Sequence, residues 1–228
     1  MGEYAVSNLL IVESENDKYF IERLKKEVNN ANFEIDNEPI CNIDDYECLG
    51  GLSVNKLTNK LFDVIENAKK DGIDKIGVML DADKVGITER VNNINDAIKT
   101  ITDDIQIVAP NQWFHSKKLD VYVSCHILNV NGYGELETLL KEIKSNSSIF
   151  ADCLEAWKMC LENKQKTINK KDFDKFWISI YGRYDCCKSS EKGHAETKCN
   201  LKATLQKNVW DFSDSALTDL KNYLAMFN

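Results

Sequence analysis

Two short, mainly apolar runs that end in carboxylates constrain the fold of this 228-residue chain more than any other feature. The run 8–12 leads directly into Glu13, and the run 75–80 leads into Asp81 and Asp83. Such runs are typical of strands that are covered on both faces, as in parallel sheets. Between and after them, apolar residues recur with the spacing of amphipathic helices. The order strand, helix, strand, helix predicts βαβ units and a mostly parallel sheet.

The pattern changes to helices alone in the last third of the chain. We expect further strands at 105–109 and 119–128, and a helix that Ser53 caps. The prediction is therefore an α/β domain over residues 1–145, flanked by helices, and a helical C-terminal region over 146–228 that packs on it. Three tryptophans in the helical stripes are expected in the core: Trp157, Trp177 and Trp210.

Charge is distributed unevenly. The whole chain carries a net charge of −8, residues 1–140 carry −11, and residues 158–207 carry +6. The acidic balance argues against a general nucleic-acid binder, and a cluster of acids can mark a cation site. There is no run of 18 apolar residues, and no basic segment precedes an apolar one at the N-terminus. We therefore expect no membrane span and no secretory signal, and a cytoplasmic location.

The cysteines are more numerous than average, with eight in the chain. In a reducing compartment we expect them to be free thiols. One group has the residue types of a zinc site, but its spacing matches no common structural motif, so zinc stays an open alternative. Its members are Cys186, Cys187, His194 and Cys199.

The carboxylates Glu13, Asp81 and Asp83 are the candidate site. They follow strands, and the carboxyl ends of strands form the edge at which open α/β sheets bind ligands. Alternate residues of an extended segment share a face, so the two aspartates of the D-x-D motif point the same way. Carboxylate oxygens in that setting suit Mg²⁺. The alternative is that these acids only cap the helices that follow.

Four segments resemble the Toprim domains, and in particular a group of Toprim-like proteins near the OLD nucleases. The stretch 10–20 reads LIVESENDKYF and resembles the first Toprim motif, in which an apolar strand ends in Glu. The stretch 78–86 reads VMLDADKVG and resembles the second, which ends D-x-D-x-x-G. The stretches 132–140, GYGELETLL, and 210–217, WDFSDSAL, are similar to segments of the OLD-like group. Ser14 stands where Toprim sequences usually have Gly.

This resemblance implies a Toprim-like fold and phosphodiester chemistry on nucleic acid that depends on Mg²⁺ or Mn²⁺. It implies that Glu13 is the general acid/base or a metal-linked base, and that Asp81 and Asp83 hold one metal ion. The resemblance also implies that Asp17 and Glu137 could complete a second metal site. The chain has no G-x-x-x-x-G-K-[ST] motif. Any ATPase, which OLD-like proteins normally carry, would therefore be a separate partner.

Two other functions compete with this nuclease-like reading. One is a non-catalytic Toprim-like module that binds metal, nucleic acid or a phosphorylated ligand. The other is a haloacid-dehalogenase-type phosphatase with Asp81 as its nucleophile, because 81–85 also fits D-x-D-x-[TV]. For a nucleic-acid substrate, the weak candidate contacts are the phosphate-binding Lys84 and the lysines of the basic segment, Lys164, Lys166, Lys170 and Lys171. The alternative for these lysines is a solvated helix face.

Overall fold

The computed structural model describes residues 7–29, 31–41 and 52–228. Strands of these residues form one sheet in the order β2-β1-β3-β5-β4. Neighbouring strands are parallel, except that β4 runs antiparallel to β5. The strands are β1 (Ser7–Val12), β2 (Glu34–Ile35), β3 (Ile73–Asp81), β4 (Phe114–Ser116) and β5 (Val121–Leu128).

Helices cover both faces of this sheet and make up the C-terminal region. They are α1 (Glu15–Leu24), α2 (Val54–Asp71), α3 (Ile87–Lys99), α4 (Leu136–Glu142), α5 (Ile149–Asn163), α6 (Lys170–Ile180), α7 (Ala195–Lys198), α8 (Leu201–Thr204) and α9 (Thr218–Ala225). A π-helical turn, Tyr181–Asp185, continues α6. Within the described residues, no helix has the length and apolar character that a membrane span requires.

Alternating side chains of the strands enter two separate cores. Leu10 and Val12 of β1 point into the first core, with α1, α4, α6 and α9, whereas Ile11 points into the second core, with α2 and α3. On β3, Met79 belongs to the first core and Val78 to the second. Burial on both faces explains why these strands lack polar alternation.

The α/β fold with a mostly parallel sheet and a helical C-terminal region is therefore confirmed. The runs 8–12 and 75–80 lie within β1 and β3. Ser53 caps α2 as predicted, since its side chain accepts a hydrogen bond from the Lys56 N–H at 3.4 Å. The boundary near residue 145 stays a prediction. The expectation about a secretory signal concerns the first residues, which lie outside the described ranges.

The predicted strand at 105–109 is wrong, because this segment has no strand partner. The side chain of Asn95 on α3 takes the place of a neighbouring strand. Its amide donates to the Ile107 carbonyl and its oxygen accepts from the Ile107 N–H, both at 2.8 Å. Ile105 and Ile107 are nevertheless buried in the second core, so the apolar pattern marked burial correctly.

The core prediction holds for Trp177 and Trp210, which are 2% and 4% exposed, but not for Trp157, which is 39% exposed. Helix α5 buries only Ala151 completely, and most of its apolar stripe faces outward. The ring of Trp157 packs against Phe176 at 5.4 Å between centroids. Periodicity identified the helix, but the tertiary fold placed it at the surface.

The expectation of free thiols is wrong for Cys187 and Cys199, which form a disulfide with each other, and for Cys41, which is also disulfide-bonded. The chain between Cys187 and Cys199 is compact, with a short 3₁₀ helix, Ser189–His194, followed by α7, and this brings their Cα atoms to 5.5 Å. The described free cysteines are Cys125, Cys153, Cys160 and Cys186.

A glycine in β3 permits the close packing of α9 on the sheet. A Cβ atom at Gly77 would lie 2.4 Å from the Phe227 ring and 2.5 Å from the Tyr223 hydroxyl. We predict that Gly77→Ala lowers the free energy of unfolding by about 1–3 kcal/mol, because both aromatic side chains must shift. Urea denaturation measures this change.

The matched control is Gly193→Ala in the short 3₁₀ helix, where a Cβ atom would meet nothing within 4 Å. This substitution should change stability by less than about 0.5 kcal/mol. Equal stability of the Gly77→Ala variant and the wild type would contradict the close packing of α9.

Candidate functional site

Glu13 and Asp81 meet at the carboxyl end of two neighbouring strands. Val12, the last residue of β1, pairs with Met79 of β3, so the residues that follow each lie at the same edge. Glu13 Oε2 accepts a hydrogen bond from the Asp81 N–H at 3.1 Å. The Glu13 side chain is buried, and Asp81 is partly exposed. The parallel pairing of the two strands therefore places these acids together.

Ser14 begins α1 and holds Asp17 in a capping box. The Ser14 N–H and hydroxyl both donate to Asp17 Oδ2, at 2.8 and 2.6 Å, and Ser14 Oγ accepts from the Asp17 N–H. Ser14 has a φ of −134°, an extended conformation that does not need glycine. Asp17 is 2% exposed, and its Oδ1 is buried without a hydrogen-bond partner.

Glu137 approaches the same place from the first turn of α4, where it is buried. The pKa of Asp81 is raised by the charges of Asp17, Glu13 and Glu137. The four carboxyls therefore lie close enough for their charges to repel one another. In the described part of the chain, none of the four forms an ion pair. We call this group the carboxylate cluster: Glu13, Asp17, Asp81 and Glu137.

Burial is the largest cause of a raised pKa at each member of the carboxylate cluster. Burial raises the pKa of Asp17 to about 7. The charges of Glu13 and Glu137 raise this pKa further, whereas the hydrogen bonds from Ser14 lower it. For Asp81, the neighbouring carboxylates strengthen the effect of burial, and its pKa lies well above the ordinary value. Removing these charges from water is costly, so an added cation would be favourable there.

Asp83, the second acid of the D-x-D motif, is in a different environment. Its backbone, with a φ of 48°, exchanges two hydrogen bonds with Gly134, at 2.8 and 2.9 Å. Its side chain forms ion pairs with Arg90 of α3 and with Lys171 of α6, the latter at 2.7 Å. Burial raises the pKa of Asp83, but the hydrogen bonds and charges of Lys171 and Arg90 outweigh it and leave the pKa below its ordinary value.

Sequence reasoning missed two members of this ion-pair network, Arg90 and Glu135, and gave Lys171 another role. Glu135 is buried, and its Oε2 lies 3.4 Å from Lys171 Nζ. Burial raises the pKa of Glu135 to about 7, although the charge of Lys171 opposes this. Arg90 lies seven residues after Asp83, in the first turn of α3. A positive charge so close along the chain could have indicated the ion pair with Asp83. No local signal connects Lys171 to Asp83, 88 residues earlier.

A cleft of about 770 Å³ opens beside this network. Lys84 and the exposed ring of Tyr133 line it together with Lys170 and Lys171. Lys170 also forms an ion pair with Asp174 of its own helix. The other two lysines of the predicted contact set, Lys164 and Lys166, lie in the turn after α5 and do not line this cleft.

The carboxylate cluster is not gathered tightly around one point. Among the described residues, no three carboxylates have oxygen atoms that all lie within 4.8 Å of one another. The set of ligand atoms that does meet this criterion is Cys187, Glu191 and Cys199, in the C-terminal region. Neither Cys186 nor His194 from the predicted zinc group belongs to it.

Together, the fold and the site define an α/β protein with a buried carboxylate cluster at the carboxyl edge of its sheet. The chain belongs to the family described as protein of unknown function (DUF3226), whose model matches residues 7–227. No curated protein and no solved structure matches the chain.

The raised pKa of Asp17 predicts a specific pH dependence of stability. Between about pH 4 and pH 7, Asp17 is ionised in the unfolded chain but keeps its proton in the native chain. The contribution of this carboxyl to the free energy of unfolding therefore becomes less favourable as the pH rises. Asp17→Asn keeps an acceptor for Ser14 but does not titrate. Over this range, the free energy of unfolding of the variant should rise relative to that of the wild type by at most about 1.4 kcal/mol per pH unit.

Urea unfolding at stepped pH, in chelator and without divalent cations, measures this difference. Above about pH 7 the difference should level off, because Asp17 is then ionised in both states. A difference that does not vary with pH would contradict the raised pKa of Asp17.

Proposed function

We propose that this protein is a Mg²⁺-dependent enzyme of the Toprim type that cleaves phosphodiester bonds in nucleic acid, with Mn²⁺ as an alternative ion. The observation that carries the proposal is the carboxylate cluster itself. Four buried or partly buried carboxyls lie at one edge of the sheet without an ion-pair partner among the described residues, and Asp17 Oδ1 has no hydrogen-bond partner. The resemblance to Toprim motifs at 10–20 and 78–86 supports the same function.

The residues of the carboxylate cluster fit a hard divalent cation. Asp17, Asp81 and Glu137 offer oxygen ligands from three separate elements, which is the donor type that Mg²⁺ and Mn²⁺ prefer. Because their oxygens are spread apart, small side-chain rotations would be needed to bring them to one ion. A bound cation would supply charge neutralisation at the phosphate and a more acidic water.

Glu13 is the group that we assign to proton transfer. Its Oε2 is held by the Asp81 N–H, which fixes the carboxyl in place. Burial raises its pKa, while the charge of Arg90 lowers it and that of Asp83 raises it. A carboxyl held in this position can take up a proton from water and return it to a leaving oxygen.

The cleft beside Asp83 is the place that we assign to the nucleic acid. A polyanion is repelled by the N-terminal part of the chain, at −11 over residues 1–140, so contacts must come from local cations. Lys84, Arg90, Lys170 and Lys171 line the cleft and can contact phosphate oxygens. The separate ATPase partner stays a prediction that rests on the resemblance.

The second candidate is a non-catalytic module that binds metal, nucleic acid or a phosphorylated ligand. One observation favours it: Asp83, a predicted metal ligand, is instead paired with Arg90 and Lys171. An enzyme that used Asp83 for metal would first have to break both ion pairs. Activity measurements separate the two candidates.

The first test of the proposed function is metal binding. Millimolar Mg²⁺ or Mn²⁺ should raise the Tm of the wild type by roughly 3–5 °C at a tenfold excess over Kd, because only the native state gathers the carboxylates. Asp81→Asn should abolish this rise. The matched control is Asp96→Asn on the exposed face of α3, which should keep it. An equal rise in Tm for all three proteins would place the ion elsewhere.

The second test is catalysis. Single-stranded, duplex and nicked DNA and RNA are incubated with the protein and Mg²⁺ or Mn²⁺, with Asp81→Asn as the blank. Glu13→Gln keeps the acceptor for the Asp81 N–H but cannot take up a proton, so the cleavage rate should fall about 10²–10⁴-fold. Thermal melts show whether the variant stays folded.

Other outcomes of this test identify the alternatives. Metal-dependent binding without cleavage of any substrate supports the non-catalytic module. Full activity of Glu13→Gln, with a phosphate mimic trapped on Asp81, supports the phosphatase. Lys84→Ala should weaken substrate binding and reduce its salt dependence, whereas Lys164→Ala should change neither, because Lys84 lines the cleft and Lys164 does not.

A further inference from the structure

A second group of metal-ligand atoms lies far along the chain from the carboxylate cluster, in the segment 186–200. This segment consists of the 3₁₀ helix Ser189–His194, helix α7 and the turns beside them. Its own buried apolar cluster contains only Cys187, Ala195 and Cys199. So small a cluster contributes little hydrophobic stabilisation, and the disulfide between Cys187 and Cys199 also holds the segment together.

The side chain of Glu191 completes this group. One of its carboxylate oxygens and the sulfur atoms of Cys187 and Cys199 all lie within 4.8 Å of one another. Glu191 Oε2 accepts hydrogen bonds from the Lys188 N–H at 2.9 Å and from Lys207 Nζ at 2.8 Å. These contacts fix the carboxylate, and Oε1 makes no hydrogen bond within the described part of the chain.

We propose that the reduced protein binds Zn²⁺ through Cys187, Cys199 and Glu191. A cellular dithiol reduces the disulfide by two electrons and is itself oxidised to a disulfide, which leaves two thiols on this chain. When the ion binds, each thiol loses its proton to solvent and each sulfur forms a bond to zinc. Water occupies the fourth position of the tetrahedron.

The backbone geometry accommodates both states. Tetrahedral zinc with Zn–S bonds of about 2.3 Å requires the two sulfur atoms to stand about 3.8 Å apart. The Cα atoms of Cys187 and Cys199 are 5.5 Å apart, so rotation of the two side chains about their Cα–Cβ bonds provides this separation. Zinc therefore replaces the disulfide as the link that holds the segment.

Ligand chemistry separates this site from the carboxylate cluster. Thiolates are soft ligands that select zinc, whereas the carboxylate cluster has only oxygen donors and suits Mg²⁺. Cys186 and His194, which have the residue types of zinc ligands, are not part of this site. Glu191 lies four residues after Cys187 and reaches the sulfur atoms in the folded segment.

The test uses the full chain, reduced with a phosphine and freed of metal, then titrated with Zn²⁺ and, separately, with Co²⁺. One ion should bind per chain, and Co²⁺ should give the ultraviolet charge-transfer bands of a thiolate complex. Cys187→Ser and Cys199→Ser should lose both signals, and Glu191→Gln should raise the Kd at least about tenfold. The matched controls, Cys153→Ser and Cys160→Ser, remove exposed thiols and should change nothing.

A second measurement on the wild type avoids variants that fail to fold. Zn²⁺ should slow alkylation of Cys187 and Cys199 in the reduced protein, as mapped by mass spectrometry, and leave alkylation of Cys153 unchanged. Asp81→Asn should keep this protection, which separates the site from the carboxylate cluster. Absence of thiolate bands in the reduced wild type, or thiolate bands that survive Cys187→Ser, would overturn the proposal.

Discussion

Repulsion among carboxylates that are buried together is the constraint on which the arrangement of this site depends. Like charges repel strongly where water is excluded. The protein offsets this in three ways: raised pKa values at Asp17 and Asp81, N–H donors to Glu13 and Asp17, and cations beside Asp83. The charges of Arg90 and Lys175 reach Glu13 and Glu137, but among the described residues no cation forms an ion pair with the carboxylate cluster. It is therefore the part of the edge at which an added cation has the most to neutralise.

The C-terminal helical region is part of this site as well as a cover for the sheet. Lys171 of α6 reaches Asp83 and Glu135, and Asp174, one turn later, accepts a hydrogen bond from the Thr138 hydroxyl at 3.0 Å. These contacts connect α6 to the loop after β3 and to α4. Movement of α6 would therefore change the charge around the D-x-D motif.

The two proposed metal sites differ in their ligand atoms and lie in different parts of one fold. Strand ends present fixed oxygen donors, because the backbone of a parallel sheet is stiff and its carboxyl edge gathers residues from distant parts of the chain. The segment 186–200 contributes Cys186 to the first core and forms a small buried cluster of its own, in which a disulfide links Cys187 to Cys199. Ser14 has an extended backbone and acts as the cap that holds Asp17.

The sequence by itself determined the βαβ order, the positions of β1 and β3, and the placement of Glu13 and Asp81 at one edge, because apolar periodicity and strand direction are local properties of the chain. Only the tertiary structure decided which charges neutralise one another. The ion pair of Lys171 with Asp83, the exposure of Trp157 and the disulfide of Cys187 depend on how helices pack. Such contacts join residues whose separation along the chain carries no periodic signal, so they follow from the packed fold alone.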